Sequence, residues 1–118
     1  MSVEDSILIS SSRLAGISND LLEDDESLKD EVITAINSNL NKLNQLGIGT
    51  VGFYITDDTS TWDEFYSNVP LEKRWYIREY IKLAVKKSVD PSTSTTLQQQ
   101  YDEQMKELEF RLLVEQED

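Results

Sequence analysis

The sequence predicts a mainly α-helical fold, a small bundle of about four helices with a short strand or hairpin between helices two and three. Two observations predict it. Apolar residues recur at helical spacing in four segments, and only one segment alternates apolar and polar residues as a strand does. The 118 residues include 38% hydrophobic residues, enough for one domain with a thin core. We therefore interpret residues 1–118 as a single helical domain, and we expect partner proteins to help complete the burial of its apolar surface.

The first two helices follow from apolar spacing and from residues suited to helix ends. The first spans about 5–15 and ends at Gly16, a residue that readily adopts the positive φ of a helix C-terminus. The acidic segment 20–26 then forms the entry to the second helix, where Asp24 or Asp25 can cap free N–H groups. The second helix is predicted over about 28–46, with an apolar face formed by Leu28, Val32, Ile36, Leu40, Leu43 and Leu46.

The segment after Gly47 is predicted to turn into a short strand. Residues 51–55 alternate apolar and polar side chains, and the nearby glycines suit a tight corner with positive φ. A lone strand leaves its backbone groups open, so it pairs either with 59–62 as a hairpin or with another chain. Thr61 and Glu64 then have capping-box spacing for one helical turn, which holds Trp62, Phe65 and Tyr66.

The last two helices are separated by an Asp90-Pro91 turn. The third opens at Asn68 and Pro70, and its apolar residues cover so wide an arc that we expect it to be central to the fold. Those residues are Leu71, Trp75, Ile77, Tyr80, Ile81, Ala84 and Val85. The fourth helix, about 95–118, carries an apolar stripe and can extend beyond the domain as a docking arm. The stripe consists of Leu97, Tyr101, Met105, Leu108 and Leu112.

The residue types argue against catalysis and metal binding. The chain contains neither His nor Cys, which removes the common general base, nucleophile pairs and zinc ligands. Its glycines do not form a phosphate-binding loop, and Asp57, Asp58, Asp63 and Glu64 lack EF-hand spacing. We predict no catalytic, metal or cofactor site.

Charge is distributed unevenly along the chain. The net charge is −12, which disfavours tight binding to nucleic acid. Residues 70–90 nevertheless hold six Lys or Arg against three Asp or Glu, and we expect them to pair with acidic segments of the same or a neighbouring chain. The N-terminus lacks signal-peptide features, and no segment approaches the ~20 apolar residues of a membrane span. Synthesis in the cytoplasm is therefore expected.

Three segments carry a more distinctive pattern. The first begins with Leu43–Gly49 and continues through Gly52–Ile55 to Ser60–Trp62. The second is the Lys86–Ser94 hinge, and the third is Lys106–Leu112. In this order and spacing they resemble the head–tail connector (head-completion adaptor) proteins of tailed bacteriophages. The opening Ile7–Ile9 and Arg13–Ile17 also fit, so the resemblance covers nearly the whole chain. The chain departs from the pattern at Thr50 and Ser92, where those proteins often have Pro.

The resemblance implies an all-helical structural adaptor, not an enzyme, that forms a ring of about twelve copies beneath the portal after DNA packaging. The ring extends the DNA channel and offers an attachment surface for the stopper or tail. The implied partners are the portal protein, a stopper or tail-completion protein, and further copies of the chain. DNA passes through without sequence-specific binding, no cofactor or membrane is involved, and the location is the virion at the head–tail junction.

Within such a ring, three sets of residues are assigned roles. The subunit interface is predicted to use Lys73, Arg74, Arg78, Lys82, Lys86, Lys87, Phe53, Ile55 and Trp62. Portal docking is assigned to Phe110, Arg111, Leu113, Val114, Glu115 and Glu117. Asp57 and Asp58 are assigned to the DNA channel, where negative charge repels phosphate.

A function of a different class is the alternative. A small acidic protein-interaction module, such as an inhibitor that mimics the charge of DNA, would have no role in the virion. It predicts salt-sensitive binding to a basic host protein and no dependence on a portal.

Overall fold

Three long helices form the body of the fold, and the middle one is central to the packing. The computed structural model describes residues 6–89 and 94–114. The helices are α1 (Ile7–Leu14), α2 (Asn19–Asp24), α3 (Glu26–Gln45), α4 (Trp62–Phe65), α5 (Arg74–Val89) and α6 (Thr95–Val114), with a 3-10 turn at Leu71–Lys73. Helix α5 lies between α3 and α6, and α1 packs on α5 and α3. The predicted mainly helical bundle is confirmed.

The long helices alternate in direction. Lys87, at the end of α5, pairs with Asp102 in the first half of α6. Nearer the middle of α5, the Tyr80 hydroxyl donates to Glu109, which lies closer to the end of α6, at 3.0 Å. Ser88 likewise lies against Glu31 near the start of α3. Both neighbours therefore run antiparallel to α5. As a result, the end of α3, the start of α5 and the end of α6 share one end of the molecule.

Helix α3 begins and ends where the sequence chemistry predicts. Asp25 accepts a hydrogen bond from the Leu28 N–H at 3.0 Å, which caps the N-terminus. At the other end Gly47 has φ +85°, and the Ile48 N–H donates to the Leu43 carbonyl at 2.9 Å, as in a Schellman motif. The acidic segment before α3 was predicted only as a helix entry, but it forms a separate short helix, α2, capped by Ser18.

The segment predicted to form a strand, residues 51–55, does not form one. In the described part of the chain there is no strand, and the isolated bridge found there joins Ser6 to Thr61. Ile55 instead pairs with the Asn37 side chain of α3: its N–H donates to Oδ1 at 2.8 Å, and its carbonyl accepts from Nδ2 at 2.9 Å. One amide side chain thus replaces a partner strand, and the predicted hairpin with 59–62 is wrong.

The single helical turn α4 forms as predicted and anchors the neighbouring chain segments. Thr61 and Glu64 make the capping box, with the Thr61 N–H donating to Glu64 Oε1 at 2.8 Å. The Phe65 carbonyl at its end accepts from the Thr50 N–H at 2.9 Å. Trp62 and Phe65 are buried, so this short helix ties the 48–55 loop to the core.

The apolar arc of α5 is narrower than predicted. Ile77, Tyr80 and Ile81 are fully buried, as are the arc's later members. Leu71 and Trp75, however, are largely exposed. Leu71 lies in the 3-10 turn before α5, and Trp75 falls outside the face that the buried positions of α5 define at about 3.6 residues per turn.

Helix α1 buries a run of hydroxyl groups. Ser10 Oγ donates to the Ser6 carbonyl at 2.6 Å and accepts from the Trp62 indole Nε1 at 2.8 Å. Ser11 and Ser12 are also buried, but their hydroxyl groups have no hydrogen-bond partner. Only the first of these three serines therefore satisfies a polar group of another element.

We predict opposite effects for two adjacent serines of this run. Ser10→Ala leaves the buried Trp62 N–H unpaired and should lower the free energy of unfolding by about 1–3 kcal/mol. Ser11→Ala removes a hydroxyl that bonds to nothing and should leave stability unchanged or raise it. Urea unfolding followed by circular dichroism measures both. Equal destabilisation by the two substitutions would contradict the assignment.

A second pair of substitutions tests the loop after α3. Gly47 and Gly49 both have positive φ, but a Cβ at Gly49 would lie 2.2 Å from the Phe65 ring, whereas one at Gly47 meets open space. Gly47→Ala should cost about 1–2 kcal/mol for the left-handed backbone. Gly49→Ala should cost a further 1–3 kcal/mol or so, since the ring must move. Thermal and urea unfolding measure the stability of both variants, and equal stability of the two would contradict the predicted extra cost of Gly49→Ala.

Candidate interaction surfaces

The candidate functional features of this chain are surfaces. Over residues 6–89 and 94–114 no group of three or more carboxylates is arranged to hold a metal ion. Among the helices that the structure describes, none has the length and apolarity that crossing a membrane requires.

Three of the residues predicted for the subunit interface lie inside the subunit. Ile55, Trp62 and Lys73 are each at most 3% exposed. Ile55 is held by Asn37, and Trp62 stacks on Tyr66 with ring centroids 5.7 Å apart. These three members of the predicted interface set are therefore not available for contact with a neighbour in the folded subunit. A fourth member, Phe53, is half-buried.

The arginines of α5 are engaged within the subunit. The Arg74 guanidinium lies 4.9 Å from the centre of the Tyr66 ring, and its Nε donates to the Val69 carbonyl at 3.3 Å. The Arg78 guanidinium lies 5.6 Å from the centre of the Trp62 ring. Such cation–π contacts stabilise by about 0.5–1 kcal/mol at partly exposed sites. These two basic residues therefore help to fasten α4 to α5.

The lysines of α5 differ in their surroundings. Lys82 pairs with Glu79 at 2.8 Å, and Lys87 pairs with Asp102 of α6. The hydrogen bond from Lys87, with the nearby charges of Lys106 and Lys42, lowers the pKa of the Asp102 carboxyl. The i,i+4 spacing of Asp102 and Lys106 predicts a pair along α6, but the hydrogen bond of Asp102 crosses to Lys87 of α5. Two lysines of the basic segment, Lys82 and Lys87, thus neutralise acids of the same chain.

Lys73 has an unusual place for a lysine. Its side chain is 2% exposed, and its ammonium donates to the Leu112 carbonyl at 3.1 Å, near the C-terminus of α6. A positive charge is favourable there, because the last carbonyls of a helix form the negative end of its dipole. Lys73 therefore joins the start of α5 to the end of α6.

The end of α6 combines a buried inner side with an exposed apolar outer side. Leu112 is fully buried, while Phe110 is 63% and Leu113 38% exposed. Arg111 is exposed and pairs with Glu107 at 3.0 Å, as its spacing predicts. Val114 ends the helix, and Glu115 and Glu117 lie outside the described residues. Through Leu112 the helix thus packs on the body of the domain.

Asp57 and Asp58, assigned to the DNA channel, lie exposed in the loop between α3 and α4. Asp57 Oδ1 accepts from the Thr59 hydroxyl at 2.6 Å and from the Thr59 N–H at 2.9 Å. These two bonds lower the pKa of the Asp57 carboxyl. Asp57 therefore shapes a turn and stays ionised, so negative charge is fixed at this position.

Comparison with known proteins adds a family to this geometry. The sequence model of the phage connector protein family matches residues 19–118, which include every helix from α2 to α6. This chain belongs to the phage connector protein family. Searches of curated proteins and of solved structures find no match.

Membership of the phage connector protein family indicates the general role of this connector. Its role is structural, its place is the virion, and its partners are other proteins of the phage head or tail. The resemblance drawn from the sequence is thereby confirmed. For a structural protein the exposed apolar residues matter most, because such residues mark interaction sites when they cluster on a surface.

The sequence reasoning missed four exposed apolar residues of the connector. Val51 and Tyr54 were placed in a strand, and Leu71 and Trp75 in the core, yet all four are exposed. The signal for Leu71 and Trp75 was available: the third helix carries more apolar residues than a single buried face can hold. No comparable signal exists for Val51 and Tyr54, because the conformation of their loop depends on hydrogen bonds to the side chains of Asn37 and Asn44.

The described part of the connector includes two sizeable surface grooves. The larger, about 780 Å³, lies between α3 and α6 and is lined mainly by polar and charged side chains. The smaller, about 440 Å³, lies between α5 and α6, with Leu83 and Leu108 at its base and Trp75 at its edge. We call this second feature the α5–α6 groove. It is the more apolar site.

We predict that Lys73 stabilises the last turns of α6 locally. In Lys73→Met the stem remains but the ammonium that binds the Leu112 carbonyl is lost. Loss of about 1 kcal/mol of local stability should speed amide hydrogen exchange near residues 110–112 about fivefold. Lys86→Met is the control, because no hydrogen bond or ion pair of Lys86 is found among the described residues. Exchange that is unchanged in Lys73→Met would contradict the role.

Proposed function

We propose that this connector is a head–tail adaptor that assembles as a ring under the portal once DNA is packaged. The ring extends the DNA channel and provides the attachment surface for the stopper or tail. Family membership supports the general role. The observation that carries the docking role is the exposed pair Phe110 and Leu113 on the outer side of α6.

Several features of α6 suit it to dock on another protein. The helix is fixed to α5 by the buried Leu112 and by Lys73, so its outer side is presented without ordering a mobile segment. Phe110 and Leu113 are three residues apart and lie on one helix side. Aromatic anchors of this kind dominate many protein interfaces. In this proposal, Arg111 and Val114, with Glu115 and Glu117 beyond, complete the portal-docking segment.

The proposal also assigns the remaining charged surface. Asp57 and Asp58 face the DNA channel, where fixed carboxylates repel phosphate and let DNA move without sticking. The half-buried lysines Lys82, Lys86 and Lys87 lie toward a neighbouring subunit. The net charge of −12 is consistent with a channel wall that does not bind nucleic acid tightly.

The docking role is tested by a matched pair of double variants. The wild-type connector, mixed with the portal protein of the same phage, should add a ring at one end of the portal in electron micrographs. Phe110→Ser with Leu113→Ser should weaken portal binding at least about 30-fold, since apolar anchors are worth 2 kcal/mol or more. Surface plasmon resonance measures the affinity.

The control replaces two leucines of similar exposure elsewhere on the subunit. Leu14 and Leu21 are 46% and 48% exposed, and Leu14→Ser with Leu21→Ser should leave portal affinity within about twofold, as remote surface substitutions do. Equal loss in both double variants would mean that exposed apolar area in general is responsible. No loss in either would contradict docking through α6.

A further inference from the structure

An exposed loop of this subunit is both apolar and firmly held. Val51 is 90% exposed and Tyr54 66% exposed, and we call this pair the loop knob. The backbone around it is fixed on each side: the Gly52 N–H donates to Asn44 Oδ1 at 2.9 Å, and Ile55 pairs with Asn37. The knob is therefore presented in a set conformation, which lowers the entropy cost of binding.

Further contacts hold the base of the loop. Thr50 Oγ1 donates to the Glu64 carbonyl at 2.7 Å, and the Gly49 N–H donates to Asn68 Oδ1 at 2.9 Å. The Phe65 ring packs directly on Gly49, where a Cβ would be excluded. The loop is thus held by several hydrogen bonds and by packing, although the side chains at its tip are exposed. We take this combination to indicate that the tip contacts a partner.

The α5–α6 groove offers a site of matching chemistry. Its base is formed by Leu83 and Leu108, and its α6 wall carries Gln100 and Gln104. An apolar base with amide rims suits an aliphatic side chain together with a phenol, whose ring is apolar and whose hydroxyl needs a polar neighbour.

Ion pairs within the subunit offset most of the negative charge around this groove. Its acidic residues are Glu79, Glu103 and Glu107. Two of these acids are already neutralised within the subunit, Glu79 by Lys82 at 2.8 Å and Glu107 by Arg111 at 3.0 Å. A strongly basic peptide would have to compete for those carboxylates, whereas the uncharged knob would leave both ion pairs in place.

The knob and the groove belong to different sides of one subunit. The loop is attached to α3 through Asn37 and Asn44, and the groove is formed by α5 and α6. Because α5 lies between α3 and α6, the knob and the groove form separate patches, and the knob of one copy can contact the groove of another. Two different patches on one subunit give a head-to-tail contact, which closes into a ring when the rotation between copies permits.

We propose that the loop knob of each subunit inserts into the α5–α6 groove of the next copy and thereby forms the main contact within the ring. This inference rests on the proposed ring function. It assigns the contact to Val51, Tyr54, Trp75 and Leu83, none of which was in the interface set predicted from the sequence.

Engineered disulfides test this contact, because the native chain contains no cysteine. The variant Val51→Cys with Gln104→Cys is mixed with the portal, oxidised and analysed on a denaturing gel without reductant. A disulfide needs the two Cα atoms within about 7 Å. We expect a ladder of covalent multimers, since each copy links to the next, whereas a mixture of the two single variants should stop at dimers.

The matched control is Val51→Cys with Gln99→Cys. Gln99 is the same residue type, is also exposed on α6, and does not line the groove. A ladder with the first variant and none with the control supports the contact. A ladder from both, or from neither while portal-bound rings are visible in electron micrographs, overturns the inference and leaves the ring function standing.

The remaining outcomes separate the two proposals. A ladder without any ring on the portal would support the knob-in-groove contact and contradict the adaptor function. Absence of both rings and ladder would overturn both. If a maleimide–benzophenone reagent attached at Gln104→Cys crosslinks on irradiation to the portal instead of to a second copy of the subunit, then the groove holds the portal and the inference is wrong.

Discussion

Burial of α5 on three sides is the constraint from which the exposed surfaces of this protein follow. Ile77, Tyr80 and Ile81 are fully enclosed by α3, α6 and α1. Each such side chain contributes roughly 1.5–3 kcal/mol through burial, so the rotation of α5 about its axis is firmly set. That rotation turns Trp75 toward solvent and leaves Leu83 at the base of a groove. The surface available for assembly is thus fixed by the core.

The amide side chains of α3 extend that order into the loop that follows. Asn37 satisfies both backbone groups of Ile55, and Asn44 binds the Gly52 N–H. Buried polar backbone groups must be paired somewhere, and here side chains provide the pairing that a second strand would otherwise give. The subunit therefore completes its core and its loops without a neighbour. What it leaves open is a small number of apolar side chains on its surface.

The sequence predicted the helices well and the surfaces poorly. Local signals such as the Asp25 cap, the Gly47 terminus and the Thr61–Glu64 capping box act over a few residues, so they can be read directly from the chain. The prediction of a strand at 51–55 was wrong because the backbone groups of Ile55 pair with the side chain of Asn37, 18 residues away. The alternation of residues within 51–55 carries no information about that contact.

Burial of charge was equally hard to foresee. Lys73 sits in a basic segment that looks solvent-exposed, yet its ammonium caps α6 across 39 positions of sequence. Trp62 was assigned to a subunit interface and Trp75 to the apolar arc of the third helix, yet Trp62 is buried and Trp75 is exposed. The exposure of Trp75 in particular could not be foreseen, because the rotation of α5 about its axis is decided by contacts with other helices.

A cryo-electron microscopy structure of the protein bound to its portal would show whether assembly uses side chains outside a complete core. We expect Ile55 and Trp62 to stay enclosed within each subunit while Phe110 and Val51 become covered by other chains. A ring in which Trp62 or Ile55 meets a neighbour, with Phe110 and Val51 still facing solvent, would contradict this expectation.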